Sequence, residues 1–194
     1  MSKTMYNTPV LQPIISAVCR LCLALRGWKL QGQPPTARKY VMITVPHTSN
    51  WDFPLALAMA FVYRFEMRWM GKDSLFSGWR GPVMRWLGGI PIDRTSRNNV
   101  VADTIAAFKA STHLIIAIPP EGTRSKVDKW KTGFYYIALG AEVPIALAFL
   151  DYQRKIGGFL ATFLPTGDIE KDFADIRAFY IGIAGKYAEK CVID

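Results

Sequence analysis

Short apolar runs alternate along the chain with longer segments in which apolar residues recur every three or four positions. YVMITV (40–45), HLIIAI (113–118) and VPIALAFL (143–150) are apolar almost throughout and rich in β-branched residues, as buried strands are. After the first of them a helix is expected from about Trp51 to Arg64, then a short strand near 65–70. A Gly-interrupted amphipathic stretch (74–87) leads to a strand end at GIPID, and Val101, Ile105 and Phe108 give one apolar face to a helix from Asn98 to Ala110. GFYYIALGAE (133–142) reads as a helix ending near Gly140, and KIGGFLATFL (155–164) as another strand. A last helix, capped by Asp168, would carry Phe173, Ile176, Phe179 or Tyr180, Ile183 and Tyr187 along one face to the end of the chain. Strands that alternate with helices and are apolar on both faces predict one α/β domain, a largely parallel mixed sheet covered by helices on both faces.

Residues 1–30 stand apart from the domain at 31–194. IISAVCRLCLAL (14–25) is an amphipathic helix, and the polar, proline-bearing QGQPPTARK (31–39) reads as a linker after it. The helix is interrupted by Arg20 and FPLALAMAFVY (53–63) is too short, so neither reaches the 18 to 20 apolar residues of a spanning segment. A signal peptide is not expected either, because RGWK follows the apolar run where small residues would mark a cleavage site. Either this helix lies flat among lipid headgroups, with Arg26, Trp28 and Lys29 at its end, or it packs on the domain.

Charge adds a direction. With 194 residues and 51% apolar content the chain can bury a core, and its net charge of +9 is uneven. Residues 1–100 hold 13 Lys and Arg against 4 Asp and Glu, whereas the remainder holds 11 of each. The first half therefore faces an anionic partner. Nucleic acid is not that partner, since no basic recognition helix and no basic-aromatic sheet pattern is present. The cations instead sit singly among large apolar residues, as in YRFEMRWMGK and GWRGPVMRWLGG, and four of the six tryptophans fall between Trp51 and Trp86. Such a surface suits an anionic membrane, although each Trp taken alone could equally be a core residue. CRLC (19–22) lacks the second ligand pair of a zinc site, so no metal is expected and Cys19, Cys22 and Cys191 read as reduced apolar side chains.

In parallel sheets, ligands bind where loops leave the carboxyl ends of strands. Two polar loops occupy that position. VPHTSNWD follows the first strand and PPEGTRSK follows the second. If Ser49 or Asn50 caps the helix, Asp52 falls in its first turn, where a carboxylate gains roughly 0.3 to 1 kcal/mol from the positive helix end. That role accounts for Asp52 by itself; alternatively Asp52 accepts a hydrogen bond from His47 and leaves the other imidazole nitrogen to take a proton from a substrate hydroxyl. Gly122 permits a tight turn or a close ligand approach, Arg124 can grip phosphate, and Lys126, Lys129 and Lys131 follow. The plain alternative is a charged surface turn. In GGIPIDR, Arg94 beside Asp93 reads equally as a salt-bridged strand end, and His113 as a structural histidine.

HTSNWD, GGIPIDR, PEGTRS and VPI, in that order, resemble the four motif blocks of the glycerolipid acyltransferase family, the lysophosphatidic acid acyltransferase group and its relatives. The resemblance implies transfer of an acyl group from acyl-CoA or acyl-ACP (acyl carrier protein) to a lysophospholipid hydroxyl at the cytoplasmic face of the membrane, with the protein peripheral or monotopic. Coenzyme A or carrier protein would enter as co-substrate, with no bound cofactor. It makes His47 the general base and Asp52 its orienting partner, and assigns Arg94, Glu121, Gly122, Thr123, Arg124 and Lys126 to the acceptor's phosphate region. Pro46, Pro91 and Pro119 depart from the usual residues of these blocks, which bears on the acceptor rather than on the chemistry. Another acceptor, such as a lyso-aminolipid or glycolipid, stays open, as does a non-catalytic lipid or acyl-carrier binding protein on the same fold.

Overall fold

The computed structural model describes residues 4–8, 11–92 and 97–191. A single 3₁₀ turn (Met5–Asn7) precedes helix α1 (Leu11–Leu25), and strand β1 (Lys29–Gln31) follows. Then come β2 (Lys39–Val45), α2 (Asp52–Tyr63), β3 (Met67–Lys72), α3 (Arg80–Trp86), β4 (Gly89–Ile92) and α4 (Arg97–Ala110). The second half runs β5 (Leu114–Ala117), α5 (Gly133–Ala141), β6 (Ile145–Asp151), β7 (Ile156–Phe163) and α6 (Ile169–Ala178). The seven strands form one sheet in the order β1-β7-β6-β2-β5-β3-β4. Every neighbouring pair is parallel except β6 with β7.

The expected α/β architecture is therefore present, with the sheet largely parallel and mixed only at β7. Only four residues join β6 to β7, far fewer than a parallel crossover requires, so the chain turns back as a hairpin. Right-handed crossovers place α2 and α3 on one face, because β2→β3 and β3→β4 both step toward the β4 edge. The return steps β4→β5 and β5→β6 put α4 and α5 on the other.

Each face buries its own core. Phe108, Phe134, Ile137, Phe173, Ile176 and Tyr180 fill the α4–α6 side, and Tyr40, Met42, Ala60, Met67 and Phe159 fill the α2 side. Strand β6 lies between them, and all seven of its residues are buried. Helix α1 packs on α2 through Leu23, which meets Met59 and Leu150.

Two elements differ from the sequence expectation. The last helix stops at Ala178 and does not run to the chain end. Tyr180 and Ile183 still reach the core, but from a turn, so apolar spacing alone mimicked a longer helix. Asp168 caps this helix as expected, accepting from Lys171 N at 3.1 Å. Strand β1 is not expected from the sequence, which puts Lys29 at the end of the N-terminal helix and Gln31 in the linker, because three residues show no periodicity. It pairs along β7, where Gly158 (φ 147°) lies so close that a Cβ would stand 2.0 Å from Gln31 O.

Candidate active site

β2 ends at Val45, and the loop after it brings His47 back toward the start of α2. Neither Ser49 nor Asn50 caps α2: the N-cap is Trp51, which makes no side-chain cap bond, and Ser49 Oγ instead accepts from Trp51 N at 3.1 Å. Asp52 is the first helical residue, 2% exposed, and its carboxylate turns back into the loop. Oδ2 accepts from Thr48 N and Ser49 N, both at 2.9 Å. The same oxygen lies 3.1 Å from His47 Nδ1. Such an arrangement fits the tautomer with the proton on Nδ1, which leaves Nε2 as an acceptor. The imidazole is 14% exposed, enough for one edge to meet a substrate.

The second loop reaches the first through Glu121. This side chain is buried, and its Oε1 accepts from His47 N at 3.0 Å. Burial pushes the Glu121 carboxyl above its ordinary range, against the lowering effect of its hydrogen bonds to backbone N–H groups. Its other oxygen, Oε2, is buried with no hydrogen-bond partner among the described residues. Glu121 thus joins the two motif loops from beneath, while Thr123, Arg124 and Lys126 lie exposed above it. The loop is held by Gly122 N donating to Pro119 O at 3.0 Å and Lys131 N donating to Pro120 O at 2.8 Å. Gly122 has φ 65°, and a Cβ there would lie 2.5 Å from Lys131 Nζ, so the turn needs glycine for its conformation and for the cation laid across it. Arg94 lies outside the described residues. His113 sits before β5, at the opposite end of the sheet from His47. Among the described residues no cluster of three or more His, Cys, Asp or Glu could hold a metal ion.

Tyr152 completes the carboxylate's surroundings. Its hydroxyl donates to Asp52 Oδ1 at 2.7 Å, and burial followed by this bond raises the phenol well above its usual range. Sequence reasoning missed it. The available signal was positional: Tyr152 begins the β6–β7 turn, at the carboxyl end of a strand parallel to β2. A second support comes from residues 184–187. Tyr187 N donates to Thr48 Oγ1 at 3.3 Å, and Lys186 Nζ lies 5.2 Å from the Trp51 ring centroid.

The family profile described as Acyltransferase matches residues 29–147. No curated protein sequence matches the chain. Among solved structures the chain is similar to the 1-acyl-sn-glycerophosphate (LPA) acyltransferase PlsC from Thermotoga maritima, with a TM-score of 0.61 at 16% identity. The match covers 89% of this chain and 78% of that one.

Proposed function

Because the chain belongs to the acyltransferase family, we propose that it moves a fatty acyl group from acyl-CoA or acyl-ACP to the hydroxyl of a lysophospholipid such as 1-acylglycerol-3-phosphate, with His47 as general base. The observation that carries this reading is the 3.1 Å approach of His47 Nδ1 to buried Asp52. As the acceptor oxygen attacks the thioester carbonyl, its proton passes to His47 Nε2. The tetrahedral intermediate then collapses with loss of the thiolate, which recovers that proton and leaves as thiol. Asp52 fixes the imidazole and stabilises its transient positive charge. A positioned base contributes about 10²- to 10⁴-fold, whereas alignment of hydroxyl and thioester is worth roughly 7 to 11 kcal/mol. Most of the acceleration therefore falls to the binding loops. Arg124, Lys126 and Lys131 offer cations to an acceptor phosphate, and Arg94 is assigned there by its motif.

The test uses a labelled acyl thioester with and without 1-acylglycerol-3-phosphate. Thiol release that requires acceptor, and that is lost in a folded His47→Ala variant, is the expected result. Release without acceptor would mark a hydrolase, no release a binding protein, and undiminished transfer by the variant would remove the base assignment. Product formed only with a lyso-aminolipid or glycolipid would reassign the acceptor.

We further propose docking at the cytoplasmic face of the membrane. Leu11, Ile14, Val18, Leu21 and Leu25 line the outer side of α1 at alternating spacings of three and four, each between 42% and 78% exposed. On the same face of the sheet, Trp79 is 79% exposed with Arg80 stacked 5.6 Å from its ring. No helix among the described residues is long and apolar enough to cross a bilayer, so these surfaces suit a peripheral or monotopic position. Ile14→Asp with Leu21→Asp should abolish sedimentation with anionic liposomes; equal sedimentation of variant and parent would exclude α1 as the anchor.

A further inference from the structure

A cavity of about 380 Å³ opens at the amino ends of β2, β3 and β5, the end of the sheet opposite His47. The seven residues of β2 put roughly 20 Å between the two places. Pockets of this size accommodate small ligands. Two of its lining side chains are anomalous in the same way. The hydroxyls of Tyr6 and Tyr40 are both buried, and neither has a hydrogen-bond partner among the described residues. Tyr40 is only 1% exposed. A buried hydroxyl left unpaired carries its full desolvation cost, and both tyrosines line this cavity, where an acceptor would relieve it. Burial also raises both phenols above their usual range, which keeps them protonated and able to donate.

Two arginines and one glutamate line the cavity. Arg38 and Arg64 stand at its exposed rim, and neither has a carboxylate partner among the described residues. His113 lines the wall. Glu66 is the opposing charge, but Arg68 meets it at 2.6 Å and Thr4 Oγ1 donates to it at 3.2 Å. At the end of α2 the backbone N–H groups of Arg64 and Phe65 donate to Phe61 O and Ala60 O.

We propose that this cavity binds a phosphate-bearing anion at a site separate from the acyl-transfer centre, with the Tyr6 and Tyr40 hydroxyls donating to it and Arg38 and Arg64 balancing its charge. The phosphate can belong to a soluble metabolite or to a lipid headgroup. Both sites share β2 and α2. Asp52 opens α2 beside His47, while Tyr63 closes it at the cavity.

Calorimetric titration of the full chain tests the proposal with two probes, inorganic phosphate and dihexanoyl phosphatidic acid kept below its micelle concentration. At least one probe should bind, at least tenfold more weakly to Tyr40→Phe and to Arg64→Gln. Binding of phosphate points to a soluble ligand, and binding of the lipid alone to a headgroup. Absence of binding by both probes, equal affinity in Tyr40→Phe and Arg64→Gln, or loss confined to Arg124→Gln would overturn it. Arg64 is exposed, so its variant keeps the test valid even if Tyr40→Phe fails to fold.

Discussion

Changing Tyr152 to Phe deletes one oxygen and asks how much of the proposed catalysis depends on how the carboxylate beside His47 is held. In the parent, Asp52 Oδ1 receives the Tyr152 hydroxyl at 2.7 Å, while Oδ2 receives two backbone N–H groups and faces His47 Nδ1. A hydrogen bond to a charged group contributes about 1.5 to 3 kcal/mol, and every ~1.4 kcal/mol is tenfold in rate. If that bond holds the carboxylate in register with the imidazole, kcat should fall by roughly 10- to 100-fold. The acceptor KM should barely change, because the Tyr152 hydroxyl bonds Asp52 and its ring packs on Trp28, neither of them in the proposed phosphate region. The ring survives in Phe, so its edge contact with Trp28, centroids 5.1 Å apart, should preserve the packing. Initial rates of thiol release at saturating thioester and acceptor measure the effect, with a thermal melt to confirm folding. A folded variant whose kcat stays within about twofold of the parent would refute the reasoning, since ~0.4 kcal/mol is too little for an orienting bond to a buried carboxylate.

Two further outcomes follow from burial and backbone geometry. The Glu121 carboxyl is raised by burial, so between its unfolded and folded values the native chain holds a proton that the unfolded chain has lost. Stability should decline as pH climbs through that window from the ordinary carboxylate range. Glu121→Gln should flatten the decline in melting temperature; an unchanged pH slope would place its origin elsewhere. Gly158→Ala puts a methyl against Gln31 O in a conformation with φ 147°, which should cost at least about 1 to 3 kcal/mol in chemical denaturation. A denaturation curve that coincides with the parent's would show that β1 can part from β7 without loss.

Much of the fold was legible because its central strands are buried on both faces. β2, β5 and β6 announce themselves as continuous apolar runs, and the short connections between elements leave few alternative topologies. The direction of β7 was legible in principle from the four residues of its turn, whereas β1 carries too few residues for any pattern. The early end of α6 was hidden because Tyr180 and Ile183 remain buried after the helix stops. In the site, His47 and Asp52 were readable from a spacing that brings a loop residue under a helix start. Glu121 was named from its motif, but its contact with the His47 backbone depends on two strands being neighbours in the sheet. Tyr152 lay outside every motif, and only the parallel register of β6 with β2 brings it to Asp52.

That last placement affects where the chain can be divided. The family profile stops at residue 147, inside β6, before either Tyr152 or β7 has been made. A fragment ending there would strip β1 of its partner strand, truncate β6 and leave its β7 edge unpaired, and remove Asp172, which accepts the buried Tyr135 hydroxyl at 2.8 Å. The stretch by which kinship is recognised is therefore shorter than the stretch that can fold, and any excised or grafted catalytic module must carry the hairpin and α6 with it.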